Sequence, residues 1–301
     1  MHVPIPVDNV RCALPAWGIA DGEFTELDRG ATAEVWKLAC DRGTYVAKYA
    51  YDDRAHFETG LRAAEVAQNA GLRSAAPLRT SDGELTLMLE WPAGHWHPLT
   101  LIEWVEGTPL DSDAPGAEEE FARIHGTLQA ALTDGIPVAD GTDTFSYLDY
   151  IATPQQDLGD SGELQEIVGG VAERARRFQE ETAMTVATAV WDGPEILIDS
   201  TGAPGLIDFG YCRPMPVLHS MANRSLHFGL EENDRTRRFA ELYLKRFPLT
   251  DSEMAGFTLF RQVSIAIYCK YQAWRLVEAE LLPEKRDAVR AYVDQHVRLL
   301  A

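Results

Sequence analysis

Trp191-Asp192-Gly193-Pro194-Glu195-Ile196-Leu197-Ile198-Asp199, answered further on by Asp208-Phe209-Gly210, is the stretch whose reading decides the fold. It reads as a short acid-bearing loop, a strand over residues 195–199, a turn at Ser200-Thr201-Gly202, and a second strand over 205–207 that delivers Asp208. A hairpin with carboxylates at the mouth of both arms brings a base and metal ligands within a few ångströms of each other, which phosphoryl transfer requires. Asp192, Glu195 and Asp208 can supply one base and two metal ligands. Alone, Asp-Phe-Gly is a weak signal, because a tripeptide of common residues recurs by chance.

The residues upstream strengthen it. Residues 22–30 and 33–40 read as two strands flanking Arg29-Gly30-Ala31-Thr32-Ala33, a tight turn of small residues. Small side chains there let backbone N–H groups approach phosphate oxygens. The next strand, 44–49, sets Lys48 inside an apolar run. One reading is an edge lysine whose stem packs while its ammonium reaches water. The other is a charge partner for the α- and β-phosphates of a nucleotide, oriented by a helix glutamate. The helix expected over about 53–70 offers Glu58 and Glu65, seven residues apart and so on one face. Glu65 is preferred, because Ala63, Ala64 and Ala67 around it let the helix approach a sheet closely. A solvated helix acid is the alternative for each.

On these residues the chain resembles the aminoglycoside phosphotransferase family, small-molecule and antibiotic kinases with a protein-kinase-like fold. The resemblance runs through the Gly30 turn, Lys48, the Glu65 helix, Leu101-Ile102-Glu103-Trp104-Val105-Glu106-Gly107, the 121–132 helix with His125, and the hairpin. It implies an α+β fold of two lobes. Residues 1–103 form an antiparallel-sheet lobe that binds nucleotide, with Gly30, Ala31 and Thr32 against the phosphates. A hinge at about 103–107 holds adenine on the backbone of Glu103, Trp104 and Val105. Residues 108–301 form a mainly helical lobe with the catalytic loop and the acceptor site. ATP and Mg2+ are the implied cofactors.

The family's catalytic loop reads His-Gly-Asp, four residues, then Asn, and this chain departs from it. Counting back from Asp208, the Asn place falls on Glu195, whose charged oxygen can replace an amide oxygen toward Mg2+. The family spacing would then put the base at Val190, which has no titratable group. A loop two residues shorter, Asp-Gly-Pro-Glu as in a divergent branch, gives that place to Asp192. Val190 and Trp191 precede it, so the usual His prop is missing.

Bulk properties narrow the setting. A chain of 301 residues can bury a large core and divide into two lobes. Residues 1–8 carry two prolines and an acid, and no apolar run approaches the ~18 residues of a membrane span, so a cytoplasmic protein without membrane contact is expected. Cys12, Cys40, Cys212 and Cys269 are scattered and read as reduced thiols. The net charge of −20 argues against nucleic acid and gives mild support to a cationic acceptor.

Along the chain, residues 20–103 alternate strand patterns with one helix, and Thr80-Ser81-Asp82-Gly83 marks a hairpin into 85–89. Helices are expected at 117–132, 163–181, 234–246, 251–281 and 283–300. Thr250 with Glu253 caps the fourth of these, and Pro283 opens the last. Residues 133–144 read as a loop. His95-Trp96-His97 reads as an exposed hairpin tip beside the hinge, in preference to a metal site. Phe257, Phe260, Ile267, Tyr268, Tyr271 and Trp274 recur at helical spacing, as core or an acceptor-groove wall. Glu231, Glu232, Asp234, Glu278 and Glu280 read as solvated helix acids, with an acceptor cleft as the alternative, and His125 and His219 as packed side chains.

The expectation is an ATP-dependent O-phosphotransferase. Asp192 deprotonates the acceptor hydroxyl, Asp208 and Glu195 hold Mg2+, and Lys48 with Glu65 positions the phosphates. The acceptor is a small-molecule hydroxyl such as an antibiotic's. Ser or Thr of a natural-product precursor peptide is the first alternative. A nucleotide-binding subunit that partners an enzyme and transfers nothing is the second, although unpaired charges kept in a cleft without chemistry would cost stability.

Overall fold

The computed structural model describes residues 4–27, 33–51, 53–92, 94–138, 147–153, 162–191, 193–210, 212–275 and 283–300. The expected phosphate turn Gly30, Ala31, Thr32, the expected base Asp192, and the acids Glu278 and Glu280 lie outside these residues. The strands are β1 (Glu23–Glu26), β2 (Ala33–Cys40), β3 (Gly43–Ala50), β4 (Pro77–Leu78), β5 (Leu87–Glu90), β6 (Trp96–Glu103), β7 (Thr108–Pro109), β8 (Val186–Val190), β9 (Glu195–Ile198), β10 (Pro204–Ile207) and β11 (Cys212–Pro216). The helices are α1 (Val7–Ala13), α2 (Arg54–Asn69), α3 (Ala117–Gly135), α4 (Tyr147–Ala152), α5 (Gly162–Glu181), α6 (Val217–Ser225), α7 (Asp234–Leu244), α8 (Asp251–Met254), α9 (Phe257–Arg275) and α10 (Pro283–Val297).

Two compact units result, and they do not follow the expected boundary near 103–107. Residues 192–213 group with 1–110 and 131–137; the remainder forms the second unit. In the first unit an antiparallel sheet runs β1-β2-β3-β6-β4, with β5 also on β6. Its alternation sorts the side chains. Trp36, Leu38, Ala47, Tyr49, Leu99 and Leu101 face one way and bury Ile5, Val10, Leu14 and Trp17 of the N-terminal segment. Lys48, one residue out of phase, stands opposite Val35 and Thr100 on the other face. That face packs on α2 through Phe57 and Leu61. The Asp53 carboxylate caps α2 by accepting from the His56 N–H at 3.0 Å, satisfying one of the donors a helix start leaves open.

Two readings need correction here. Residues 80–83 turn as expected, the Gly83 N–H donating to the Thr80 carbonyl at 2.8 Å and the Thr80 N–H to the Glu84 carbonyl at 2.9 Å, but the strands on either side do not go on as a paired hairpin. β4 and β5 pair with β6 at successive registers, and not with each other. His95-Trp96-His97 is indeed a tip, with Trp96 58% exposed, but it joins β5 to β6 at the far end of an eight-residue strand from Glu103. At ~3.3 Å per residue that is well over 20 Å from the hinge.

The second unit is helical, with β8 and β11 as a small sheet. Its centre is α6, all nine residues of which are buried. Five of its nine residues, His219, Ser220, Asn223, Arg224 and Ser225, are polar yet buried, so polarity along the chain does not signal this helix's place in the core. The capping box of Thr250 and Glu253 is present, yet it caps only the short α8; a turn at Ala255 and Gly256 separates it from α9. His125 and His219 are packed, both held neutral by burial, His219 down to about 3. No helix among the described residues is long and apolar enough to cross a membrane.

Candidate active site

The hairpin β9–β10 pairs Glu195 with Ile207 and Ile198 with Pro204. Asp199 closes its turn, accepting from the Thr201 and Ala203 N–H groups and from Arg73. These donors, the Thr201 hydroxyl among them, hold its carboxyl down to about 2. β7 adds to the other side of β9, so β9 is the central strand of a three-stranded sheet.

Asp208 follows β10 directly with φ of +61°, the one described non-glycine residue in the left-handed region. Aspartate visits this region more readily than most residues, at a cost of about 1–2 kcal/mol. The Lys48 Nζ lies 3.1 Å from its Oδ1, across a sequence separation of 160 residues. The lysine is 18% exposed and the aspartate 58%, so the pair is partly solvated and can reorganise around a ligand. Glu195 stands opposite Ile207, the residue before Asp208, placing the two acids on adjacent arms.

Backbone packing fixes this corner. A Cβ on Gly193 would lie 2.1 Å from the Asp208 carbonyl oxygen, and Gly193 has φ of +83°. On the far side, a Cβ on Gly60 of α2 would lie 2.3 Å from the Phe209 carbonyl oxygen. The Asp-Phe-Gly turn is thus held between the loop after residue 192 and the middle of α2. Neither glycine was legible as a contact from spacing.

The expected Lys48–Glu65 pair is not formed. Both Glu65 oxygens bind Arg79, at 2.9 and 2.7 Å. Glu58 binds Arg54 at 2.6 Å and accepts from the Thr86 hydroxyl at 2.7 Å. Being seven apart, the two glutamates do share a face, but that face looks toward residues 79–86. Ala63, Ala64 and Ala67 do give the close approach expected of small residues, each being at most 2% exposed; Glu65 lies on their flank. Glu65→Gln is therefore expected to leave Mg·ATP turnover within about twofold of wild type, and to cost less than about 1 kcal/mol in stability. A loss of about a hundredfold in steady-state kinetics would restore the glutamate to Lys48.

At the end of β6 the Glu103 N–H donates to the Ala76 carbonyl at 2.9 Å and the Trp104 N–H to the Thr44 carbonyl at 3.3 Å. The Trp104 indole donates to Glu106 at 2.7 Å, and the Lys37 ammonium sits 4.1 Å from the Trp104 ring centroid. Val105 buries its side chain with Ala75 and Leu197. Its N–H reaches no acceptor among the described residues, leaving a donor for a ligand edge.

No family profile matches the chain, and no curated protein matches it in sequence. Solved structures do match. A microcompartment-associated aminopropanol kinase superposes with a TM-score of 0.78 at 14% identity, over 98% of this chain and 96% of that one. The chain has the aminoglycoside-phosphotransferase fold. Amicoumacin kinase hAmiN, in complex with AMP-PNP, Ca2+ and Ami, superposes at 0.70 with 12% identity, over 91% of this chain and 88% of its own. Spectinomycin phosphotransferase APH(9)-Ia, in complex with ADP and spectinomycin, gives 0.65 at 10% identity over 99% and 98%. The expected α+β, protein-kinase-like architecture is thereby established.

Proposed function

We propose that this chain is an ATP-dependent O-phosphotransferase acting on a small-molecule hydroxyl. The observation that carries the reading is the meeting of Lys48 with Asp208 at 3.1 Å, in a fold shared with kinases of that class. Lys48 would hold the α- and β-phosphates, and the backbone of Glu103, Trp104 and Val105 the adenine, against the open Val105 N–H. Gly30, Ala31 and Thr32 would cover the phosphates with backbone donors.

Asp208 and Glu195 would hold Mg2+. The donor set fits in kind: Mg2+ bound with nucleotide usually takes one or two carboxylates beside phosphate oxygens and water, and Glu195 stands opposite Ile207, the residue before Asp208. When bound, it would neutralise charge gathering on the transferred phosphoryl group. Asp192 would accept the acceptor's proton, so that catalysis is positioning plus charge stabilisation.

For the acceptor, an antibiotic or amino-alcohol hydroxyl is the first choice, in line with what the structural neighbours are named for. The net charge of −20 favours a cationic one. A cytoplasmic setting without membrane contact goes with this reading, and the same net charge argues against nucleic acid as a partner.

A thermal-shift titration tests the nucleotide site. ATP with Mg2+ is expected to stabilise the protein by about 2.7 kcal/mol at a hundred times Kd, and ATP with a chelator by much less. Stabilisation indifferent to Mg2+ would favour a non-catalytic partner subunit. Mass spectrometry for a phosphoryl adduct on small-molecule and peptide panels then decides the acceptor.

A further inference from the structure

We infer that Arg73 is a positioning residue for the nucleotide base: its guanidinium ties the segment carrying the open Val105 N–H to the turn of the β9–β10 hairpin, and so sets which base is accepted. The inference rests on the reading of residues 103–105 as the adenine hinge. One guanidinium nitrogen donates to the Asp199 carboxylate at 2.6 Å and the other to the Glu106 carbonyl at 3.2 Å. Asp199 lies 126 residues from Arg73 along the chain and Glu106 lies 33, so the fork joins segments that local structure does not connect.

Arg73 is itself held by its backbone. Its carbonyl accepts from the Leu206 N–H at 2.9 Å, and the Ala75 N–H donates to the Leu206 carbonyl at 2.8 Å. The two segments form a parallel bridge at Ser74 and Leu206, and the Ser74 hydroxyl donates to the Ala64 carbonyl of α2 at 2.6 Å. A planar guanidinium on a fixed backbone presents its donors in a set geometry, which a flexible ammonium does not.

Asp199 does not need the fork to keep its turn. Its other oxygen accepts from the Thr201 hydroxyl at 2.7 Å and from the Thr201 and Ala203 N–H groups at 2.8 and 3.0 Å. The ion pair is partly solvated, Arg73 being 39% exposed, and pairs of that kind add little stability. The consequence lies at the Glu106 carbonyl, one residue past the open donor. Val105 is already held by its side chain, buried with Ala75 and Leu197, and a Cβ on Gly205 of β10 would lie 2.4 Å from its Cγ1. Beyond Glu106, Thr108 of β7 pairs with Ile198 of β9. Glu106 is the link between these two holds, and Arg73 fixes its carbonyl. The Val105 N–H therefore has a set direction before a base arrives, and a donor fixed in advance rejects a ring edge that offers it no acceptor.

The test compares ATP with inosine triphosphate, both with Mg2+, by titration calorimetry on wild type, Arg73→Met and Asp199→Asn. The two nucleotides carry the same triphosphate, so what Lys48 and Asp208 contribute cancels in the ratio of their dissociation constants. Their bases differ at the ring edge: inosine carries an N–H where adenine has an acceptor nitrogen, and so opposes the Val105 N–H. Wild type is expected to prefer ATP by about tenfold or more, the scale of one hydrogen bond exchanged for a donor facing a donor. Arg73→Met keeps the stem and loses the donors. The preference should then fall to about threefold or less, through weaker binding of ATP, with the thermal midpoint within about 4 °C of wild type. An unchanged ratio, including an equal weakening of both nucleotides, overturns the role and leaves the hinge reading standing. Should Arg73→Met fail to fold, Asp199→Asn, which keeps an oxygen for the turn and loses the charge toward Arg73, is held to the same criterion. A wild type that binds both nucleotides alike, or neither, sinks the hinge reading and this inference with it.

Discussion

Asp208→Asn is expected to fold as the wild type does and to lose about a thousandfold or more in Mg·ATP turnover, the scale of removing one preorganised charge-stabilising group. Asparagine is the informative replacement, because it too tolerates the left-handed region in which Asp208 sits at φ +61°. The side chain is 58% exposed and its ion pair with Lys48 partly solvated, so the stability change should stay within about 1 kcal/mol. The losses are specific. Turnover disappears, and so does the Mg2+-dependent part of the thermal stabilisation by ATP. A variant that retained turnover within about tenfold would remove Asp208 from the metal site.

Gly193→Ala is expected to destabilise the protein by about 2–4 kcal/mol, combining left-handed strain with a clash. It should also lower turnover about a hundredfold through displacement of Asp208. The new Cβ would fall 2.1 Å from a backbone carbonyl, and backbone cannot rotate away as a flexible side chain can. Gly202→Ala separates the two causes. Its φ is +84°, the same within a degree, but nothing lies within 4 Å of its Cβ. It should carry the strain alone, about 1–2 kcal/mol, with turnover intact. Denaturant unfolding and steady-state kinetics on the two variants read this directly; equal effects would mean that the close approach at Gly193 has no consequence.

What the sequence by itself determined was local. Lys48 in an apolar strand, the strand–turn–strand of 195–207 and the acid after it were all legible, since strand alternation and turn chemistry depend on neighbours in the chain. Composition and the absence of a long apolar run set the broad class. The long-range pairings were another matter. Nothing in spacing distinguishes Arg79 from Lys48 as the partner of Glu65, because both are cations reachable from one helix and only the packed orientation of α2 chooses. The central helix α6 was illegible for another reason: five of its nine residues are polar, yet all nine are buried, so polarity along the chain does not report its place in the core. It is the helix that grips the carbonyls of residues 190 and 191. The missing His was plain in the sequence; that the Trp191 indole bonds to a buried histidine on α6 was decided by tertiary structure alone, because the bond spans 28 residues of chain and forms only once the core has closed around it.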